Sequence, residues 1–436
     1  MKKLLAIIAL ITSNLIFGQD SLSLSEAIKI GLEKNYDIQL TQKNVAINQL
    51  LNNWGEAGAL PKINLNSGQN NSVMDQINPA SFFDTLNLES NAINGNIALN
   101  WTIFNGFSVK ANKLKLEQLV AQSEGTATLA VENTIHGIIL SYYQVKLQIE
   151  QLTLLRNVLN LSREKYRQQL SKSELGSSVR VDLLQFESAY LTDSSNLILQ
   201  ELSFKNSFRN LNIIMGEEID KSWILSTEIN PKFKLYNYED LKKEMLSNNT
   251  NIKNQFINIS LLKQDIQMAK AAYYPVLNLN AGSNLEKSVL RSSLFPGQSS
   301  KGENTNYYAN FTLSFKLYDG GKVRRGIKAL EIQNEINDIQ SNQIVAQLSQ
   351  ELSNTYDLYN TRLKIFEINK KAFLVAQENF NIGKLRENNG IINSFTLRDI
   401  EMAYLSAGLV LFQSSYNLLE SNATLLKLTG RIIQEK

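Results

Sequence analysis

The chain holds one histidine in 436 residues, His136, within Thr134-Ile135-His136-Gly137, and no cysteine. A protein metal site draws on three or four ligands. His136 has no acidic pair at ligand spacing and reads as a surface or seam histidine. Zero cysteine excludes disulfides, thiolate metal centres, cysteine nucleophiles and a lipidated N-terminal cysteine. Asp319-Gly320-Gly321-Lys322 has the composition of a phosphate loop without the GxxxxGK[ST] spacing, and reads as a turn. No nucleophile–base pair stands out, so the sequence argues against an enzyme and calls for neither cofactor nor metal. With 44 basic against 41 acidic residues and a net +3, bulk charge does not drive nucleic-acid binding. A chain 43% hydrophobic and 19% charged is too apolar for disorder.

These residues sit in a chain that begins with an address. Met1-Lys2-Lys3 precedes an apolar run from Leu4 to Ile11 and then Leu15-Ile16-Phe17-Gly18. That pattern is a secretory signal peptide, cut after Gly18, and is too short to span a bilayer. No later stretch reaches spanning length without charges. The protein is expected to be periplasmic, secreted, or placed in an outer membrane by a route other than apolar helices.

Beyond the signal, the chain is written twice. A shift of 214 positions sets Asn35 on Asn249, Pro61 on Pro275, Gly106 on Gly320, Gly176 on Gly390 and Gly216 on Gly430. It also sets Asn64-Leu65-Asn66 on Asn278-Leu279-Asn280, and Ala189-Tyr190-Leu191 on Ala403-Tyr404-Leu405. So long a period implies duplication of a whole unit. The expected organisation is a signal peptide (1–18), a first repeat (19–216, hairpin 62–104), a linker (217–237, holding Pro231), a second repeat (238–430, hairpin 276–318) and a tail (431–436).

Each repeat reads as helix, two strands, long helix, turn, helix. The first helices span about Leu24–Ala59 and Tyr238–Tyr273, with Ser23 or Ser25 as cap, and end before Pro61 and Pro275. Long helices follow to about Lys172 and Leu385, roughly 65 residues or about 100 Å. Ile135, Ile138, Tyr142, Val145, Ile149, Leu152 and Leu159 step along the first at heptad spacing. A second stripe, Leu140, Tyr143, Leu147, Leu154 and Leu161, asks for a neighbour on another side. A tube wall and an ordinary bundle both satisfy it.

The strands alternate with period two. Ile97, Leu99, Trp101 and Ile103 in the first repeat, and Phe311, Leu313, Phe315 and Leu317 in the second, form an apolar face opposite asparagine, threonine and serine. The hairpin tips are placed near Asp75–Asn91 and Ser288–Thr305, polar and loose. Four strands of about ten residues fit a small soluble sheet or part of a transmembrane barrel, whose strands need about 9–11 residues. In lipid an open edge is forbidden, so the second reading demands several copies. Trp101 and Tyr307–Tyr308 are then candidate interfacial aromatics.

Ala59-Leu60-Pro61 precedes a strand, and Phe104-Asn105-Gly106 and Tyr318-Asp319-Gly320-Gly321 each precede a long helix. With the turns Leu175-Gly176 and Asn389-Gly390, in this order behind a signal peptide, the duplicated chain resembles the TolC family over about residues 22–430. The resemblance implies a mainly α fold with a pair of β hairpins per chain. Long antiparallel coiled-coil helices of three copies would form a periplasmic α-barrel, and three times four strands would close one outer-membrane β-barrel. It implies a passive exit duct of a tripartite efflux pump or type I secretion system, partnered by a periplasmic adaptor (membrane fusion) protein and an inner-membrane transporter. The apolar strand positions would face lipid. Gly176, Ser177, Gly390 and Ile391 would be tip turns that dock the adaptor.

In better-known members, acidic residues just past the tip glycine line the periplasmic mouth. Asp182 and Asp399 match such positions; as plain helix-start acids they would instead favour the helix dipole. Thr396 stands where those members carry an acid, and Ile392 where their gate carries a base. A double acidic ring is therefore not expected. The alternative function is a soluble periplasmic coiled-coil scaffold without channel activity.

Overall fold

A computed structural model describes residues 21–77, 85–175, 177, 179–228 and 233–433. The expected signal peptide, Gly176 and Pro231 lie outside these residues. In chain order the elements are β1 (Ser21–Leu22), α1 (Leu24–Lys34), α2 (Tyr36–Leu51), β2 (Lys62–Ile77), β3 (Thr85–Asn105), α3 (Ser108–Glu174) and α4 (Arg180–Met215). There follow β4 (Ile224–Leu225), α5 (Tyr238–Asn248), α6 (Thr250–Lys270), β5 (Val276–Ser292), β6 (Ser299–Ser314), α7 (Lys322–Asn388) and α8 (Ser394–Leu428). The chain is mainly helical with one four-stranded antiparallel sheet. It divides into two compact units, each drawing on both halves of the sequence.

The first unit comprises Met1–Lys43, Gly125–Asn254 and Asn342–Lys436. Its core is apolar seam residues of the long helices: Ile138, Tyr142, Val145, Leu352 and Tyr359 are fully buried. Leu147 and Leu154 of the second stripe are buried as well. Leu154 packs with Leu155, Val158 and Leu405, so α8 supplies one of the neighbours that stripe asked for.

Ser23, not Ser25, caps α1, in a capping box with Glu26. Hydrogen bonds from Ser23, backbone first and then side chain, hold the Glu26 carboxyl below its ordinary value. The capped helix is much shorter than expected. Asn35 is extended (φ −61°, ψ 131°) and separates α1 from α2. Its Nδ2 donates to Ile214 O at 2.8 Å and its Oδ1 accepts from Ile38 N at 3.1 Å, so it ends one helix and starts the next. Asn249 does the same between α5 and α6, donating to Leu428 O at 2.9 Å and accepting from Asn251 N at 3.0 Å. α2 then stops at Leu51, well before Pro61, where Asn53 and Gly58 (φ 93°) build a turn.

The second unit, Asn44–Glu124 with Gln255–Ser341, carries the sheet, in order β2-β3-β5-β6. Its strands run 16 to 21 residues, longer than the expected ten. Pairing extends to Ile77↔Thr85 in the first hairpin and Arg291↔Ser299 in the second, so the strands use much of what was assigned to the tips. The second tip is not polar throughout, since it holds Leu294 and Phe295. A register shift between Thr102 and Phe104 makes Ile103 a bulged residue, and Phe104 takes the place opposite Leu277. β6 ends at Ser314, paired with Val276. Pro275 precedes Val276 and has no N–H to extend the ladder. With the pairing ended there, Phe315 and Leu317 lie in the connection to α7 rather than on a strand.

Candidate functional site

Two surfaces carry the candidate residues. The first is the pair of sheet faces. Register places odd-numbered residues together: Ile63–Leu99–Ala281–Ala309 form one cross-strand row, Leu65–Ile97–Ser283–Tyr307 the next, and Trp101–Leu279–Phe311 another. Phe311 and Leu313 are each 68% exposed, part of an apolar sheet face that the described residues leave uncovered. From Leu277 to Leu285 this face spans about 27 Å of strand at 3.4 Å per residue. Beyond it the same face turns charged, with Lys287–Glu303 at 3.2 Å and Arg291–Glu89 at 3.7 Å. An apolar band followed by ion pairs accounts for the extra strand length: the strands outrun the band.

The even-numbered face is polar. Asn66–Asn96–Asn284–Asn306 align across all four strands, and Asn100–Asn280–Asn310 across three. Asn96 Nδ2 donates to Asn284 Oδ1, and Thr102 Oγ1 donates to Asn278 Oδ1 at 2.9 Å. Tyr308 belongs to this face, over Gly282, whereas Tyr307 is on the apolar one. The two tyrosines expected to act together at an interface thus lie on opposite faces. Trp101 donates its indole N–H to Ala59 O at 2.8 Å, which fixes the ring at the helix-side end of the sheet.

The chain leaves the sheet at two corners. In the first, Gly106 (φ 66°) and Phe107 (φ 69°) turn left-handed, and a Cβ on Gly106 would strike Ala271 O and Tyr274. In the second, Asp319 accepts from Lys322 N at 3.0 Å and Val323 N at 2.9 Å. The bond from Val323 is the first cause of its lowered carboxyl pKa. This carboxylate fills the place an anion would take in a phosphate loop, so the motif is a helix cap.

The second surface is the pair of helix-tip turns. Ser177 N and Oγ both donate to Lys172 O at 2.9 Å, while Gly390 (φ 70°) lets Ile391 N reach Arg386 O at 2.8 Å. The backbone bonds are six-residue closures of the kind that end helices. Gly176 lies outside the described residues, and Ile391 is exposed. Asp182 is half-buried in the first turn of α4. Asn393 caps α8 through Thr396 N at 2.8 Å and Thr396 Oγ1 at 2.9 Å, Ile392 is half-buried, and Asp399 is exposed.

What the fold brings together near these turns is a different set. Arg398 bonds Asp193 of α4 at 2.9 Å and Glu401 of its own helix at 2.9 Å, with both carboxylates 2% exposed. Lys165 of α3 pairs with Glu387 of α7 at 2.7 Å, and Ser394 donates to Glu387 at 2.8 Å. Sequence reading passed over this cluster. A signal existed: Asp193 falls on the apolar frame Phe186–Tyr190–Leu197, and Glu401 on Leu397–Leu405–Gly408. His136 serves no such cluster. Its Nε2 lies 3.3 Å from Thr424 Oγ1, and burial, with the nearby Lys427 charge, lowers its pKa to about 4.

Long paired helices with an open sheet, greasy on one face and amide-lined on the other, define the class of TolC-like channel proteins. The family described as outer membrane efflux protein matches residues 28–217 and 241–431, and the chain belongs to it. The members are non-enzymatic outer-membrane channels of tripartite efflux and secretion systems. Nodulation protein T of Rhizobium leguminosarum bv. trifolii is 19% identical over 379 residues, which cover 84% of this chain and 76% of that protein. Among solved structures, the outer-membrane channel OprN matches with a TM-score of 0.73 at 14% identity, over 93% of this chain and 89% of its own. The CmeC outer membrane channel of Campylobacter jejuni matches with a TM-score of 0.72 at 14% identity, over 94% and 85%.

Proposed function

We propose that three copies of this chain close one barrel through their sheets and one periplasmic tunnel through their helices. The observation that carries this reading is the sheet itself. Its two outer strands, β2 and β6, each have one neighbour among the described residues, while its odd face is apolar and exposed. Lipid tolerates such a face but not free edges, so closure must come from other copies. Exposed heptad stripes support the same partners: Leu184, Leu191 and Ile198 on α4, and Ile368, Val375 and Ile382 on α7.

In that assembly Ile97, Leu99, Trp101, Phe311 and Leu313 meet lipid, with a cleaved signal peptide delivering the chain to the outer membrane. The repeats, 19–216 and 238–430, contribute equivalent hairpins about the linker 217–237. The turns at Gly176–Ser177 and Gly390–Ile391 meet a periplasmic adaptor, which joins the duct to an inner-membrane transporter. Asp182, Thr396, Asp399 and Ile392 line the mouth, with Thr396 and Ile392 making it less acidic and less basic than in better-known members. Substitution of Leu99 and Leu313 by arginine tests the lipid-facing assignment. Each is expected to cost about 2–4 kcal/mol near the bilayer midplane, so outer-membrane insertion is lost. Normal insertion of the doubly charged protein would assign that face to water.

A further inference from the structure

The Arg398 cluster is short of positive charge. One guanidinium serves two carboxylates, Asp193 and Glu401, and Asp193 Oδ2 and Glu401 Oε1 are each buried without a hydrogen-bond partner among the described residues. A buried charge that lacks a full partner is relieved most simply by binding a proton. The two bonds differ in what they connect. Arg398–Asp193 joins α8 to α4, and hence the α7–α8 hairpin to the α3–α4 hairpin. Arg398–Glu401, made by the other terminal nitrogen, stays within one turn of α8 and draws on the same positive charge.

Every element around the cluster supplies a charge to weigh. Lys165 and Lys172 come from α3, Asp193 from α4, Glu387 from α7, and Arg398 and Glu401 from α8. Burial raises the Glu401 carboxyl above its ordinary value; the Asp193 charge adds to this, while Arg398 and Lys165 oppose it. The neighbouring link behaves in the opposite sense. Burial also pushes Glu387 upward, but bonds from Lys165 and Ser394, with the charges of Lys165 and Lys172, leave it below its ordinary value. Lys165–Glu387 is a pair whose surroundings favour the charged carboxylate. The Phe186–Phe395 stack, centroids 5.0 Å apart, is a third link between α4 and α8 and is indifferent to pH.

We propose that Glu401 is a proton-binding site that tightens the link between the two tip hairpins: once Glu401 is protonated, Arg398 is released to Asp193 alone. The inference rests on the channel reading above and gives it a direction: the periplasmic mouth is held more firmly at lower pH than at higher pH.

The chain lacks cysteine, so Ser177→Cys with Ile391→Cys places spin labels on the two tip turns of the full-length protein without background. Interspin distances and bilayer conductance are read from about pH 4 to about pH 8, from near the ordinary carboxylate value upward. In the otherwise native protein, distances lengthen and conductance rises with pH. Glu401→Gln, similar in shape and uncharged, shows the acid-state distances and the lower conductance throughout. Asp193→Asn, which removes the carboxylate on the other hairpin, shows the long distances throughout. A wild-type pH response retained in Glu401→Gln, or distances in the parent protein that ignore pH, would overturn the proposal. Distances that respond while no conductance is found at any pH would uphold the link and count against the channel reading.

Discussion

At the residue scale, His136 shows how an unusual residue type can be structural. Its folded pKa of about 4 lies below the ordinary 6.5, because burial and then Lys427 disfavour the imidazolium. The unfolded chain therefore takes up a proton that the fold refuses. Stability from this group is complete above about pH 6.5 and falls as pH drops towards about 4. His136→Gln is expected to unfold with a shallower loss of denaturation midpoint between those limits than the parent protein. An unchanged slope would mean that the ring is freely hydrated. The sequence offered His136 no acidic pair at ligand spacing and read it as a surface or seam residue; that it is half-buried beside Thr424 and Lys427 depends on packing between separate helices. It was silent on Arg398, Asp193 and Glu401, since their meeting depends on how α4 and α8 are staggered, and heptad spacing does not specify stagger between separate helices.

At the element scale, two asparagines decide where helices end. Asn35 and Asn249 each donate to the last turn of a helix about 180 residues away in sequence, Ile214 O and Leu428 O. Replacing either by alanine leaves buried backbone groups unpaired and should cost about 1–3 kcal/mol. Chemical denaturation of each single variant reads this; a loss within error would show that water serves the same groups. Both asparagines were visible as matched positions of the repeat, yet their role was not, and each helix pair was taken as one. Apolar spacing runs on through the break, so periodicity alone could not reveal it. The strands erred in the other direction. Alternation ends where Lys287, Arg291, Glu89 and Glu303 begin, but backbone pairing continues on cross-strand ion pairs. The bulge at Ile103 was likewise hidden, because an apolar residue at an odd position fits the pattern whether or not it is paired.

At the scale of the whole molecule, bonds recur with the period seen in the sequence. Tyr142 Oη donates to Leu22 O at 2.8 Å and Tyr356 Oη to Tyr236 O at 3.3 Å, each partner displaced by the same 214 positions. Tyr166–Tyr190 and Phe380–Tyr404 stack with interplanar angles of 2° and 3°. Gly216 and Gly430 are left-handed, at φ 73° and 69°. Matching positions across the halves thus mark matching bonds, which is why the duplicated, mainly helical fold was legible from one chain, while the channel class rested on the resemblance to the TolC family. A single chain carries no record of which face meets which copy: physics asks only that amide groups at a sheet edge in lipid find partners, and the number three comes from the family resemblance.

The number of chains in the membrane-extracted particle tests that account most directly. Light scattering on detergent-solubilised protein, with detergent mass subtracted, should return three times the mass of one chain, and heating should reduce the particle to single chains. A protein that stays monomeric and dissolves in buffer without detergent would contradict it.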